Sequence, residues 1–167
     1  MPEEIAVKAE AILRAPRPGD GHNIWKFVQA RSLDINSSYL YMLWCRDFAG
    51  TTVIAEDAEG LCGFLIAYAR PQDTDVLFIW QTTVDPRQQA RRLELRMLEY
   101  VVGDKYQFVE CTVTPNNNGS NGFLTAFAES RGASVDQAQL FAAELFPPEH
   151  GREDIFRIGP IPRRAKA

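Results

Sequence analysis

The stretch from Thr51 to Val84 constrains the fold more than any other part of the chain. TTVIAE (51–56) and LCGFLIAYA (61–69) are rich in β-branched and aromatic residues and flank Asp57-Ala58-Glu59-Gly60, the pattern of two strands joined by a hairpin. Val76 to Val84 supplies a third long strand. The period then changes: Gln88 to Val102 places Ala90, Leu93, Met97, Leu98 and Val101 on one helical face, with Gly103 as a stop. Antiparallel strands that feed a helix exclude both a helical bundle and a sheet-on-sheet sandwich.

The flanking segments complete an alternating order. Asp20-Gly21 opens a helix carrying Ile24, Phe27 and Val28, and Asn36-Ser37-Ser38 caps a second one with Tyr39, Met42 and Leu43 at helical spacing. YQFVECTVT (106–114) reads as a strand and 116–131 as a helix with Phe123, Leu124 and Phe127 inward; 139–146 and 154–158 have strand-like apolar content. These elements predict a single α/β (α+β) domain, a mixed and mostly antiparallel central sheet flanked by helices. Its expected bounds are 14–160, with flexible segments at 1–13 and 161–167.

Charge and cysteine usage narrow the function. The chain has 167 residues, with 18 Lys plus Arg against 22 Asp plus Glu and a formal charge of -4, so no global positive field favours nucleic acid or an anionic membrane. A small-molecule or protein partner is expected instead. Cys45, Cys62 and Cys111 are widely spaced and form no CxxC pair, which points to reduced, buried thiols in a cytoplasmic protein. With two histidines far apart and no clustered carboxylate motif, no metal is implied. The start MPEEIAVKAEAIL lacks the pattern of a secretory signal, and no apolar run approaches bilayer-spanning length.

Several local strings carry a resemblance. Val84-Asp85-Pro86 ahead of a helix is similar to the strand-to-turn junction of GNAT acyltransferases. LDINSSYLYMLWC (33–45), TDVLFIWQTTVDP (74–86), TVTPNNN with Ser120, and FRIGP (156–160) together resemble the diaminobutyrate acetyltransferases of ectoine biosynthesis over most of the chain. That resemblance implies a GNAT-like fold, acetyl-CoA as co-substrate, transfer of its acetyl group to the γ-amine of L-2,4-diaminobutyrate, and a homodimer. Asp34, Tyr39 and Trp80 match positions around the amino-acid acceptor, and His150 with Glu153 matches an H-x-x-E pair near it.

The chemistry suits these residue types. An amine as basic as lysine must lose a proton before it attacks a thioester, which gives Glu153 the role of base or water-orienting group. Asp34 suits an ammonium group and Trp80 a cation-compatible wall. On the donor side, backbone N–H groups at the end of the 76–84 strand, around Thr82 and Val84, would polarise the thioester carbonyl. The resemblance adds Asn117 and Ser120 as contacts to the donor arm.

One turn departs from the family. Family members carry R/Q-x-x-G-x-G/A, whose backbone N–H groups at a helix N-terminus bind the CoA pyrophosphate. Here the stretch is Gln89-Ala90-Arg91-Arg92-Leu93-Glu94, with Arg92 at the first Gly and Glu94 at the second small residue. A Glu beside a dianionic pyrophosphate is repulsive, whereas Arg91 and Arg92 side chains offer compensating charge. Nor does any tyrosine follow Tyr106, which removes a tyrosine acid for the leaving thiolate. Two other readings therefore stay open at the level of sequence: an acyltransferase served by a carrier-protein-linked donor, and a non-catalytic amino-acid-binding protein.

Overall fold

The computed structural model describes residues 10–31, 35–115 and 118–164, with backbone alone at 89–91 and 118–121. Seven strands form one sheet. In chain order the elements are β1 (Ile12–Arg14), α1 (Asp20–Gln29), α2 (Ser38–Asp47), β2 (Thr52–Asp57), β3 (Gly60–Arg70), β4 (Asp73–Val84), α3 (Leu93–Val102), β5 (Phe108–Val113), α4 (Asn118–Arg131), β6 (Val135–Phe141) and β7 (Glu153–Ile158). The spatial order is β1-β2-β3-β4-β5-β7-β6, with β4 and β5 parallel and every other pair antiparallel. No helix of the described residues is long and apolar enough to cross a membrane.

Alternation along the strands splits the apolar residues between two cores. One face presents Leu65, Leu77, Ile79, Val109, Cys111 and Phe156 to α3 and α4, which contribute Leu93, Met97, Leu98, Leu124 and Phe127. The opposite face presents Ile54, Phe64 and Ile66 to α1 and α2. These two helices reach only as far as β4, so among the described residues no helix covers the α1/α2 side of β5, β7 and β6.

Four expectations are corrected. The second helix turns Tyr41, Trp44 and Cys45 inward and leaves Tyr39 and Met42 exposed. YLYMLWC is apolar almost all round, so spacing alone does not choose a face; the buried Tyr41 hydroxyl, which donates to Gln81 Oε1 at 2.7 Å, does. The helix expected from Gln88 begins at Leu93, because Pro86–Arg91 forms a tighter 3-10 stretch and Arg92 adopts the left-handed conformation (φ 52°) between the two. The strand expected at 139–146 lies at Val135–Phe141. Among the described residues it is an edge strand and all seven of its residues are exposed, so it carries no apolar alternation to reveal it. The sheet also takes in Ile12 and Leu13, ahead of the expected domain start, because β1 pairs with Ala55 and Glu56 of β2.

Close approach decides how the small helices sit. A Cβ on Gly21 would lie 2.5 Å from the Met42 nitrogen, so only glycine lets the start of α1 rest on the α2 backbone. Gly60, at φ 111°, closes the β2–β3 hairpin in a conformation that other residues rarely adopt.

Candidate active site

The site begins where two parallel strands part. β4 and β5 pair from Val76↔Phe108 to Ile79↔Cys111 and no further, although β4 continues to Val84 and β5 to Val113. The break has a local cause. On the β3 side Ala67 pairs with Ile79 and Ile66 with Gln81, so Trp80 is an extra residue that bulges β4 and bends it away from β5. Asp85 donates its N–H to Cys62 O on β3 at 2.7 Å; by the alternation of an antiparallel ladder, the N–H groups of Val84 and Thr82 face the gap. The Thr82 hydroxyl is bonded to Phe64 O at 3.0 Å and Val84 is buried, which leaves their main chain as the functional surface of this strand end.

On the α1/α2 face beside the gap lies an open groove of about 520 Å³. Its walls are Tyr68, Phe78, Trp80, Phe141 and Ile155, and its polar lining is Arg70, Glu110 and Thr112. Trp80 is 48% exposed and packs at 5.2 Å against Trp44, whose indole N–H donates to Ala67 O at 3.3 Å. α2 therefore fixes the Trp80 ring from behind while its free surface faces the groove.

His150 and Glu153 stand at the rim. Glu153 opens β7 opposite Phe141, on the same face as Ile155, and its side chain is mostly buried. His150 Nε2 lies 3.5 Å from Glu153 Oε1, and the ring stacks on Phe146 at 4.2 Å. Burial, with a smaller contribution from the Glu153 carboxylate, pushes the Cys111 thiol up to about 12.

At the other end of the gap, the turn after β4 is tied down by charge. Asp85 accepts from Arg31 at 2.9 Å and from the Arg87 side chain at 3.0 Å, and the Arg87 hydrogen bonds hold its carboxyl below the ordinary value. Buried Gln88 donates to Asp57 at 2.9 Å. Arg92 is exposed and adopts a left-handed backbone, a conformation that glycine takes more readily than any other residue. Burial pushes the Glu94 carboxyl up, in the direction that lessens its negative charge. A split strand pair, main-chain donors aimed into it and this turn fit a pantetheine thioester entering between β4 and β5.

The comparisons with known proteins agree with this geometry. No family model matches the chain. It is 44% identical over 156 residues to the L-2,4-diaminobutyric acid acetyltransferase of Nocardia farcinica, covering 90% of this chain and 81% of that protein. With the enzyme of the same name from Streptomyces avermitilis it shares 42% over 159 residues and 89% of each chain. The chain belongs to the L-2,4-diaminobutyric acid acetyltransferases. The diaminobutyrate acetyltransferase of Paenibacillus lautus, solved with L-2,4-diaminobutyric acid and coenzyme A, matches it at a TM-score of 0.86 and 30% identity over 94% of this chain and 99% of that one. A GNAT phosphinothricin acetyltransferase from Sinorhizobium meliloti, 16% identical with a TM-score of 0.69, shares the fold.

Within this acetyltransferase the residues singled out from sequence fall in separate places. Trp80 lines the groove, His150 and Glu153 meet at its rim, and Thr82 and Val84 flank the gap. Tyr39 sits in the first turn of α2, 64% exposed and outside the groove lining. Asp34 and Asn117 lie outside the described residues, and for Gln89, Ala90, Arg91 and Ser120 the backbone alone is described. Sequence reasoning missed the Tyr41–Gln81 bond and the charged floor of the groove. Glu110, the one charged residue of FVECTV, was the signal for that floor.

Proposed function

We infer that this acetyltransferase moves the acetyl group of acetyl-CoA onto an amine of L-2,4-diaminobutyrate, the γ-amine by the family resemblance. The observation that carries this reading is the parting of β4 from β5 at the Trp80 bulge, directly beside a groove of amino-acid size. The donor enters from the α3 side of the gap and the acceptor from the α1/α2 side, so that amine and thioester meet between the strands. Family membership supports the donor as acetyl-CoA and the acceptor as diaminobutyrate.

The acceptor amine reaches the groove protonated. Glu153, mostly buried at the start of β7, accepts the proton directly or through one water, and His150 at 3.5 Å supports the carboxylate. The amine nitrogen then attacks the thioester carbon. N–H groups of Thr82 and Val84 stabilise the oxyanion that forms, and its collapse expels the CoA thiolate. Phe123 and Phe127 stand on α4 where a tyrosine acid would otherwise serve, so the thiolate takes, through water, the second proton that the attacking nitrogen loses as the amide forms. On this reading Asp34 belongs to the acceptor site, Tyr39 serves the acceptor from outside the groove lining, and Gln89, Ala90, Arg91, Arg92, Glu94, Asn117 and Ser120 form the donor site.

The enzyme works as a cytoplasmic homodimer on this reading. Exposed Phe141 and Leu145, beside the free edge of β6, support such an interface. The role of Glu153 is tested by Glu153→Gln in an assay of CoA thiol release. Turnover is expected to fall about 100-fold or more, with the urea unfolding curve unchanged. Turnover within threefold of the unmodified enzyme would remove Glu153 from the mechanism.

A further inference from the structure

The floor of the groove holds a charge arrangement with no role so far. Glu110 is buried, with 5% of its side chain exposed, in the middle of β5. Arg157, its register partner on β7, donates a short hydrogen bond to Glu110 Oε1 and lays its guanidinium 3.9 Å over the Phe108 ring. That arginine is committed on both faces. Arg70, at the end of β3, approaches the same carboxylate only to 3.6 Å, beyond hydrogen-bond length, and keeps 38% of its side chain exposed in the groove lining. Asp73 and Asp136 stand in register with Arg70 and Arg157, yet neither is within ion-pair distance of them.

A buried carboxylate already satisfied by one arginine holds a second arginine in place without using its hydrogen-bond donors. Such a guanidinium is a ready partner for a carboxylate, which it binds with two parallel N–H donors. The position matters as much as the charge. Glu110 lies at the level of Phe78 on β4, one side-chain step along the same face from Trp80 and Thr112, where the strands part. An amino acid whose side-chain amine reaches the gap beside Trp80 therefore lays its backbone end toward Arg70.

We propose that Arg70, held by Glu110 and Arg157, is the anchor for the α-carboxylate of the amino-acid acceptor and the residue that makes this enzyme select amino acids over simple diamines. The proposal rests on the acceptor assignment made above and adds the group that recognises the acid. It also explains the one charge in β5, since Glu110 serves to position the arginine.

The test compares L-2,4-diaminobutyrate with 1,3-diaminopropane, the same diamine without its carboxylate, at saturating acetyl-CoA. In the unmodified enzyme kcat/KM is expected to favour diaminobutyrate about 10- to 100-fold, the range of a hydrogen bond to a charged group. In Arg70→Gln this preference is expected to collapse toward unity, with the loss appearing in kcat/KM for diaminobutyrate; Arg70→Lys, which keeps the charge but not the fork, is expected to fall between. A preference retained in Arg70→Gln would overturn the proposal, as would an unmodified enzyme that treats both acceptors alike, a result that needs no variant to fold. If neither acceptor is acetylated, it is the acceptor assignment itself that fails.

Discussion

Gly21→Ala tests the helix packing behind the acceptor groove, because two physical rules give it opposite signs. Helix propensity alone favours alanine by about 1 kcal/mol. The structure opposes it: the new methyl would stand 2.5 Å from Met42 N, 2.6 Å from Met42 Cα and 2.7 Å from Tyr41 C, all backbone atoms that no rotamer change can move. Ordinary carbon contacts lie at about 3.5–4.0 Å, so α1 and α2 must part by about 1 Å. Ile24, Val28 and Tyr41 at that seam are 0% exposed and Cys45 is 1% exposed, so the separation loosens a close-packed core. Overpacking of this kind costs about 1–3 kcal/mol or more. The expected net result is a loss of about 2 kcal/mol, a fall in Tm of about 4–8 °C for a domain of this size. Urea unfolding followed by tryptophan fluorescence measures it. Gly122→Ala is the internal control: it lies exposed on α4, a Cβ there would meet nothing within 4 Å, and it is expected to gain up to about 1 kcal/mol. The packing argument is refuted if Gly21→Ala is as stable as the parent while Gly122→Ala gains as expected.

Further expectations follow from the same structure. Tyr41→Phe removes the hydroxyl bonded to Gln81 at 2.7 Å and is expected to cost about 1 kcal/mol in urea unfolding; a change below about 0.3 kcal/mol would show that this bond does not hold the strand end. Arg92→Gly combined with Glu94→Ala is expected to lower the acetyl-CoA Kd about tenfold in calorimetric titration, by removing a partly buried carboxylate beside the phosphates. Weaker binding would mean instead that the Arg92 side chain holds them. Burial pushes the thiols of Cys45 and Cys62 up to about 11 and that of Cys111 up to about 12, so all three are protonated and shielded at pH 8. Ellman's reagent is expected to modify the native enzyme about 100-fold more slowly than the urea-unfolded chain; rapid modification of one thiol would contradict that burial.

The strands that frame the site were legible because they are runs of β-branched, aromatic and aliphatic residues: LCGFLIAYA and VLFIW leave no other reading. The elements that were misplaced are those that tertiary contacts decide. The α2 sequence YLYMLWC offers two apolar faces of equal quality, and the choice between them depends on Gly21 and Gln81, distant in the chain. β6 is an exposed edge strand whose VDQAQ has no pattern of its own; it exists through its pairing with β7. In the turn after β4 the residue types read as a loss, since the family resemblance expects glycine where Arg92 stands. The backbone at Arg92 is left-handed, a conformation that an arginine in a sequence does not announce. Arg70 was invisible for a different reason, since a lone arginine at a strand end signals nothing until Glu110 and Arg157 are placed beside it.

The most direct test of the account incubates the enzyme with acetyl-CoA carrying a labelled acetyl carbon and L-2,4-diaminobutyrate, and follows the label by NMR. The expected result is one new amide resonance on the γ-amine, formed in step with CoA release and absent when either substrate is left out. Acetyl-CoA that stays intact in the presence of diaminobutyrate, or that loses its label only to acetate, would contradict the assignment of this chain as a diaminobutyrate acetyltransferase in function as well as in family.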